Sequence, residues 1–207
     1  MVEEFEFYDT EQRALIDWLS SRSPDVWHAV AEYLNPDYAE GVIEWILNQP
    51  QCDRATAAFF FWRFEPARNI LSRSPDQEED EYNFYFRLVG KANEGFYSNS
   101  NILYRGNDLP TGEVCEWTLK EAQSFRELAS QGSETKLAWT LPEAFVPVFG
   151  KRAPAIAEND DPAKSQELRA LLEDLGVIFP SPQPAKPPQG GMVLSLGWLK
   201  NLGKKKR

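Results

Sequence analysis

The sequence predicts a mainly α fold: a single globular helical domain with one long ordered loop or small hairpin and a flexible C-terminal tail. Three observations carry that expectation. Apolar residues recur at intervals of three and four, capping residues stand just before those stripes, and proline or glycine stands at their ends. The domain is expected over residues 5–180 with six to eight helices, a Pro/Gly-rich linker over 181–191 and an amphipathic basic tail over 192–207. With 207 residues, 42% hydrophobic and 13% aromatic, the chain has the apolar material for one core.

The elements follow in order. Asp9-x-x-Gln12 resembles a capping arrangement before Ala14, Leu15, Trp18 and Leu19. Ser23-Pro24 reads as an N-cap followed by proline at the first helical position, with Val26, Val30, Tyr33 and Leu34 on one face. Asn35-Pro36 restarts the pattern, and Val42, Ile43, Ile46 and Leu47 form a stripe that ends before Pro50. Asp53 can cap a strongly apolar helix containing Ala57, Phe60, Phe61 and Phe64, which Glu65-Pro66 ends.

Ser74-Pro75-Asp76-Gln77 predicts a further helix start, with Tyr82, Tyr85, Phe86, Val89 and Ala92 at helical spacing and Gly95 as its stop. A strand over Tyr82–Val89 is the competing reading, because the run is rich in aromatic residues. Residues 96–117 are turn-rich and read as the loop or hairpin. Thr118-x-x-Glu121 reads as a capping box, Leu141–Phe149 as a short helix interrupted by Pro147, and Asp161-Pro162 as the start of a last helix bearing Leu168, Leu171, Leu172 and Leu175.

Charge is distributed unevenly. Residues 1–185 hold all 32 acidic residues but 16 of the 22 basic ones, a net charge of −16; the last 22 residues carry +6. A body of that sign repels nucleic-acid phosphate and attracts cationic surfaces. The N-terminus lacks the basic and apolar regions of a signal peptide, and no apolar run reaches membrane-spanning length, so a cytoplasmic protein with reduced cysteines is expected.

Chemistry-bearing motifs are sparse. His28 is the sole histidine and reads as structural, while Cys52 and Cys115 form no CxxC pair. Phosphate-loop, dinucleotide, nucleophile-elbow and zinc-protease signatures are missing from the sequence, and the carboxylate runs lack the glycine-punctuated pattern of a Ca²⁺ loop. No catalytic residue, metal or cofactor is therefore assigned.

One stretch is more specific. Trp45 to Trp62 places Pro50, Cys52, Asp53, Thr56, Ala57 and Trp62 around the junction of two apolar helices. Pro50 ends the first helix, Asp53 caps the second, Thr56 can bond the corner backbone, and Cys52 and Ala57 suit close packing; all six read as a structural motif. This segment resembles the core of a bacterial family of domains of unknown function, with P-x-C-D-x-x-T-A between two apolar helices, over about residues 24–105. Glu94-Gly95-Phe96-Tyr97 resembles a downstream element of the same family.

The resemblance is compatible with a toxin–immunity locus. The expected function is a non-catalytic interaction protein, an immunity protein that binds and occludes a cognate bacterial toxin. The expected partner is a cationic protein, a toxin domain, with no direct nucleic-acid binding. Asp76, Glu78, Glu79, Asp80 and Glu81 form the best-localised acidic patch for that partner, since five carboxylates exceed what one helix dipole can use. Two alternatives stand beside it. One is an adaptor or chaperone that docks a partner or a membrane through residues 192–207; the other is a carboxylate-based enzyme that needs no histidine.

Overall fold

The computed structural model describes residues 10–68, 81–106, 114–131, 137 and 139–178. The described residues up to Val177 belong to one body, Met1–Val177. Its described residues form seven α-helices: α1 Thr10–Ser20, α2 Pro24–Ala31, α3 Pro36–Asn48, α4 Arg54–Arg63, α5 Glu81–Asn93, α6 Glu116–Ser130 and α7 Gln166–Asp174. Two isolated β-bridges pair described residues with one another. The boundary expected at 180/181, the linker and the tail lie outside the described residues.

Helix α4 is the centre of the body. Eight consecutive residues, Ala55 to Trp62, are buried, so this helix is enclosed on every side rather than amphipathic. It packs against α2, α5, the turn at Pro66–Arg68 and a 3₁₀ turn at Glu143–Phe145. Ala57 and Ala58 are fully buried, consistent with close approach of neighbouring elements. Helix α1 packs on α3 and α7, burying Leu15, Trp18 and Leu19.

An aromatic cluster fills the space beside α4. The Trp62 ring stacks on Phe125 of α6 at 6.0 Å, and Tyr85 of α5 stacks on Trp139 at 5.7 Å. Phe61 meets Tyr85, Trp139 and Phe145. The polar tips of these buried rings reach backbone carbonyls: Trp62 Nε1 donates to Phe145 (2.9 Å), Tyr85 to Phe61, Tyr97 to Leu47 and Tyr104 to Ala58. Each such bond pins an outer segment to α3 or α4 at little desolvation cost.

Several sequence expectations need correction. Ser23 occupies the N-cap of α2, but its side chain makes no capping bond. Asp9 lies outside the described residues, and Gln12 Oε1 accepts from the Gly41 amide of α3 (2.8 Å). Helix α6 begins at Glu116 behind Cys115, so Thr118 and Glu121 are buried interior residues and not a capping box. Leu141–Phe149 forms only the three-residue 3₁₀ turn, with prolines at 142 and 147 on either side. The last helix starts at Ser165, whose Oγ accepts from Leu168 (3.2 Å); Asp161 instead caps its own turn through Ala163.

The reading of 82–89 as helix is correct, though the Ser74 start lies outside the described residues. The buried stripe of α5 runs through Tyr85, Leu88 and Val89, leaving Phe86 half exposed. The turn-rich loop is ordered over 96–106 but forms no hairpin of its own there. It pairs with a distant segment instead, through Ile102 with Arg152 and Tyr104 with Phe149. Gly150 permits that approach: at φ 84°, a Cβ would lie 1.8 Å from the Ile102 carbonyl oxygen.

The stacked Trp62 ring is buried to 1% exposure, so Trp62→Ala removes the largest fully enclosed side chain. Urea unfolding should register a loss of about 3–5 kcal/mol; a loss under about 1 kcal/mol would mean that the cluster collapses around the gap.

Candidate functional site

The helix–turn–helix corner builds the most constrained polar site. Helix α3 ends at Asn48, the chain turns through Pro50, and α4 begins at Arg54 behind Asp53. Cys52 and Asp53 are both buried. An enclosed helix start has backbone N–H groups that water cannot serve, and here each finds a partner. The Arg54 amide donates to the Asn99 carbonyl (2.8 Å) and the Ala55 amide to Asp53 Oδ1 (3.0 Å). The amides of Thr56 and Ala57 donate to the Asp53 carbonyl.

Asp53 does more than cap. Its second oxygen, Oδ2, accepts from the amides of Asn101 (2.8 Å) and Ile102 (3.3 Å), some 48 residues away. One carboxylate therefore joins the start of α4 to the loop over 96–106. Arg54 Nε donates to the Tyr97 carbonyl and Asn99 Nδ2 to the Gln51 carbonyl, closing the same junction.

Thr56 departs from its expected role. Its hydroxyl pairs across to α2, 3.1 Å from His28 Nδ1, not to the corner backbone. His28 is 6% exposed and packs edge-on against Phe59. Burial drives its pKa down to about 4, against the opposing pull of Asp53 and Asp25, so the ring is neutral near pH 7. The Cys52 thiol is pushed far up, first by burial and then by Asp53, and is inert as a nucleophile.

A cleft of about 240 Å³ opens beside this junction. Helix α2 contributes His28 and the residue after its end, Glu32, α4 contributes Phe59, the loop contributes residues 103–106, and Ala153 and Pro154 close the far side. The walls are tied together. Asp25 of α2 takes a two-pronged bond from Arg152 (2.6 and 3.0 Å) and the Ala155 amide (3.1 Å), and the Arg152 guanidinium holds the Asp25 carboxyl below its usual range. Across the junction, Tyr104 reaches the Ala58 carbonyl.

Of the acidic patch predicted for partner binding, Asp76, Glu78, Glu79 and Asp80 lie outside the described residues, and Glu81 is the first residue of α5. Pro50, Cys52, Asp53, Thr56, Ala57 and Trp62 are brought together at the corner and along α4. Among the described residues no group of three or more His, Cys, Asp or Glu is placed to hold a metal ion. No helix among them is long and apolar enough to cross a membrane.

Sequence reasoning missed the His28–Thr56 pair and the cleft, whose contributors lie up to 126 residues apart in sequence. It also missed Glu121. That carboxyl accepts from the Ala67 amide while Oε2 has no hydrogen-bond partner, and burial, with Glu65 nearby, raises its pKa to about 6. Glu121 lies outside the cleft.

Residues 22–95 match the model of a family described as a domain of unknown function, DUF4274. No curated protein and no solved structure matches the chain. The matched segment runs from the start of α2 to the end of α5. It includes Asp53, His28 and Thr56, whereas the loop amides that Asp53 holds lie beyond it.

Two predictions follow from these groups. Asp53→Ala strands three amides, so it should cost about 3–5 kcal/mol, more than the roughly 1 kcal/mol of a simple cap. Asp53→Asn, which keeps one acceptor oxygen, should cost less; equal costs would mean that the oxygen asparagine keeps contributes nothing.

Glu121 has a folded-state pKa above its unfolded value, so it destabilises the fold as pH rises from about 4.5 to 6. Glu121→Gln should therefore be more stable than the parent by about 1–2 kcal/mol at pH 7, at about 1.4 kcal/mol per pKa unit. The difference should vanish below about pH 4.5; a gap that persists there would point to packing and not titration.

Proposed function

We propose that this chain is a non-catalytic interaction protein, an immunity protein of the bacterial cytoplasm that neutralises a cognate toxin by binding it and occluding a cationic cleft. The observation that carries this reading is the net charge of −16 over residues 1–185. With 32 acidic residues against 16 basic ones, complete internal pairing would still leave 16 carboxylates without a counter-charge. Among the described residues at least seven basic ones stand in ion pairs, among them Arg22 with Asp160 and Arg126 with Glu143. That surplus exceeds the roughly 2–8 charges that keep a small domain soluble, and complementary potential speeds encounter with a cationic partner.

The chemistry inside the body supports binding over catalysis. His28 is neutral and bonded to Thr56, and the Cys52 thiol is buried and protonated. A bacterial family, with the corner motif as its hallmark, belongs to the same proposal. Asp76, Glu78, Glu79, Asp80 and Glu81 are its partner-facing patch.

The test starts with the full chain as bait in its native cell and continues with association kinetics on the recovered partner. The proposal expects a basic partner whose association slows steeply as salt rises, because exposed charges are screened beyond about 8–10 Å near 0.1–0.15 M. Replacing Glu78, Glu79 and Asp80 with serine should slow association more than it speeds dissociation. Removal of residues 192–207, with their +5 charge, should leave capture intact; loss of capture would favour an adaptor that docks through its tail. An acidic partner, or association indifferent to salt, contradicts the immunity reading.

A further inference from the structure

Arg54 is an anomaly in a chain so rich in carboxylates. It opens α4 at the corner and is half-buried, and burial of a guanidinium is ordinarily matched by a paired acid. Residues 1–185 hold 32 acidic residues to 16 basic ones, so an anionic counter-group is the one in surplus. Among the described residues Arg54 nevertheless stands in no ion pair.

The guanidinium is held without being neutralised. Its Nε donates to the Tyr97 carbonyl (3.3 Å), and Cζ lies 5.6 Å from the centre of the Phe149 ring. The group is thereby fixed between the 96–106 loop and the segment that pairs with it. Among the described residues its Nη1 and Nη2 have no partner. Two parallel N–H donors on a clamped planar group match the two oxygens of a carboxylate.

The surroundings add positive charge and supply no competing acid. Lys151 is exposed, stands in no ion pair among the described residues, and donates its amide to Asn101 (3.0 Å) of the same loop. The carboxylates bonded into this junction are already committed, Asp53 to three amides and Asp25 to Arg152 and Ala155. Phosphate is the other anion that arginine recognises, and it draws on free amides at a helix start. Here the amides from Arg54 to Ala57 are all spent on Asn99 and Asp53. The net charge of −16 also repels a dianion or an acidic macromolecule more than a small monoanion.

We propose that Arg54 anchors a binding site for a small monocarboxylic acid, its carboxylate bridged by Nη1 and Nη2 and drawn in by Lys151. The site is opposite in sign to the surface that a cationic partner would use and does not depend on that partner.

The test is an NMR titration of the ¹⁵N-labelled full chain with sodium acetate, chloride holding the ionic strength constant. Arg13 is exposed on α1 and also stands in no ion pair among the described residues, so it reports what an ordinary surface arginine does. The Arg54 Nε–H resonance should saturate at least about tenfold below the acetate concentration that Arg13 needs, about 1.4 kcal/mol. The Tyr97 and Asn99 amides should shift with it. Inorganic phosphate should bind more weakly than acetate.

Arg54→Lys keeps the charge but loses the fork, so acetate should bind at least about fivefold more weakly, the size of one hydrogen bond, as read at the Ser98 and Asn99 amides. Should that variant fail to fold, the comparison of Arg54 with Arg13 in the parent decides alone. Equal affinity at the two arginines reduces Arg54 to an ordinary surface cation and overturns the proposal. Acetate binding unchanged in Arg54→Lys, or phosphate binding tighter than acetate, overturns it as well.

Discussion

A helix enclosed on every side and at its amino end has no solvent to complete its backbone, and α4 is in that position. Everything around it is arranged by how those amides are paired. Asp53 answers with both carboxylate oxygens, one inside the helix start and one on the loop that arrives 48 residues later. The loop then runs on through Ile102 and Tyr104 to pair with Arg152 and Phe149, and Arg152 reaches back to Asp25 on α2. The cleft exists because this circuit holds α2, α4 and two loops apart at fixed spacing. A negative group also suits the positive end of the α4 dipole, so local electrostatics and long-range pairing favour the same residue type.

Much of the helical fold is readable from single residues. Asn35 and Asp53 cap through their own side chains, as their types suggest, and Gly95 and Gly176 close α5 and α7. Local signals failed where a stronger distant contact took the residue. Thr118 and Glu121 have capping-box spacing, yet the Cys115 amide is held by the Arg105 carbonyl and the chain enters the helix three residues earlier. Asp161-Pro162 has the form of a helix start, but Asp161 satisfies a turn and Ser165 supplies the cap. Gln12 likewise left its own helix start for the Gly41 amide.

The site was legible in part. Sequence alone marks Asp53 as a cap because that contact is local. Its hold on Asn101 and Ile102 is invisible, since nothing in the residues at 99–102 announces an acceptor so far away. His28 and Thr56 sit 28 positions apart on different helices, so neither gives a periodic or spaced signal for the other. The surface is read differently from the interior. Net charge is a sum over residues and survives any fold, whereas a cleft depends on geometry that only long-range contacts define.

The central claim is that one carboxylate joins the start of α4 to the loop. Native-state hydrogen exchange of the Ala55, Asn101 and Ile102 amides tests it most directly, comparing the parent chain with Asp53→Asn. The account predicts that the Asn101 and Ile102 amides lose protection along with or instead of Ala55, while the α1 amides behind Leu15 and Leu19 keep theirs. Loss of protection at Ala55 alone, with Asn101 and Ile102 unchanged, would show an ordinary helix cap and contradict it.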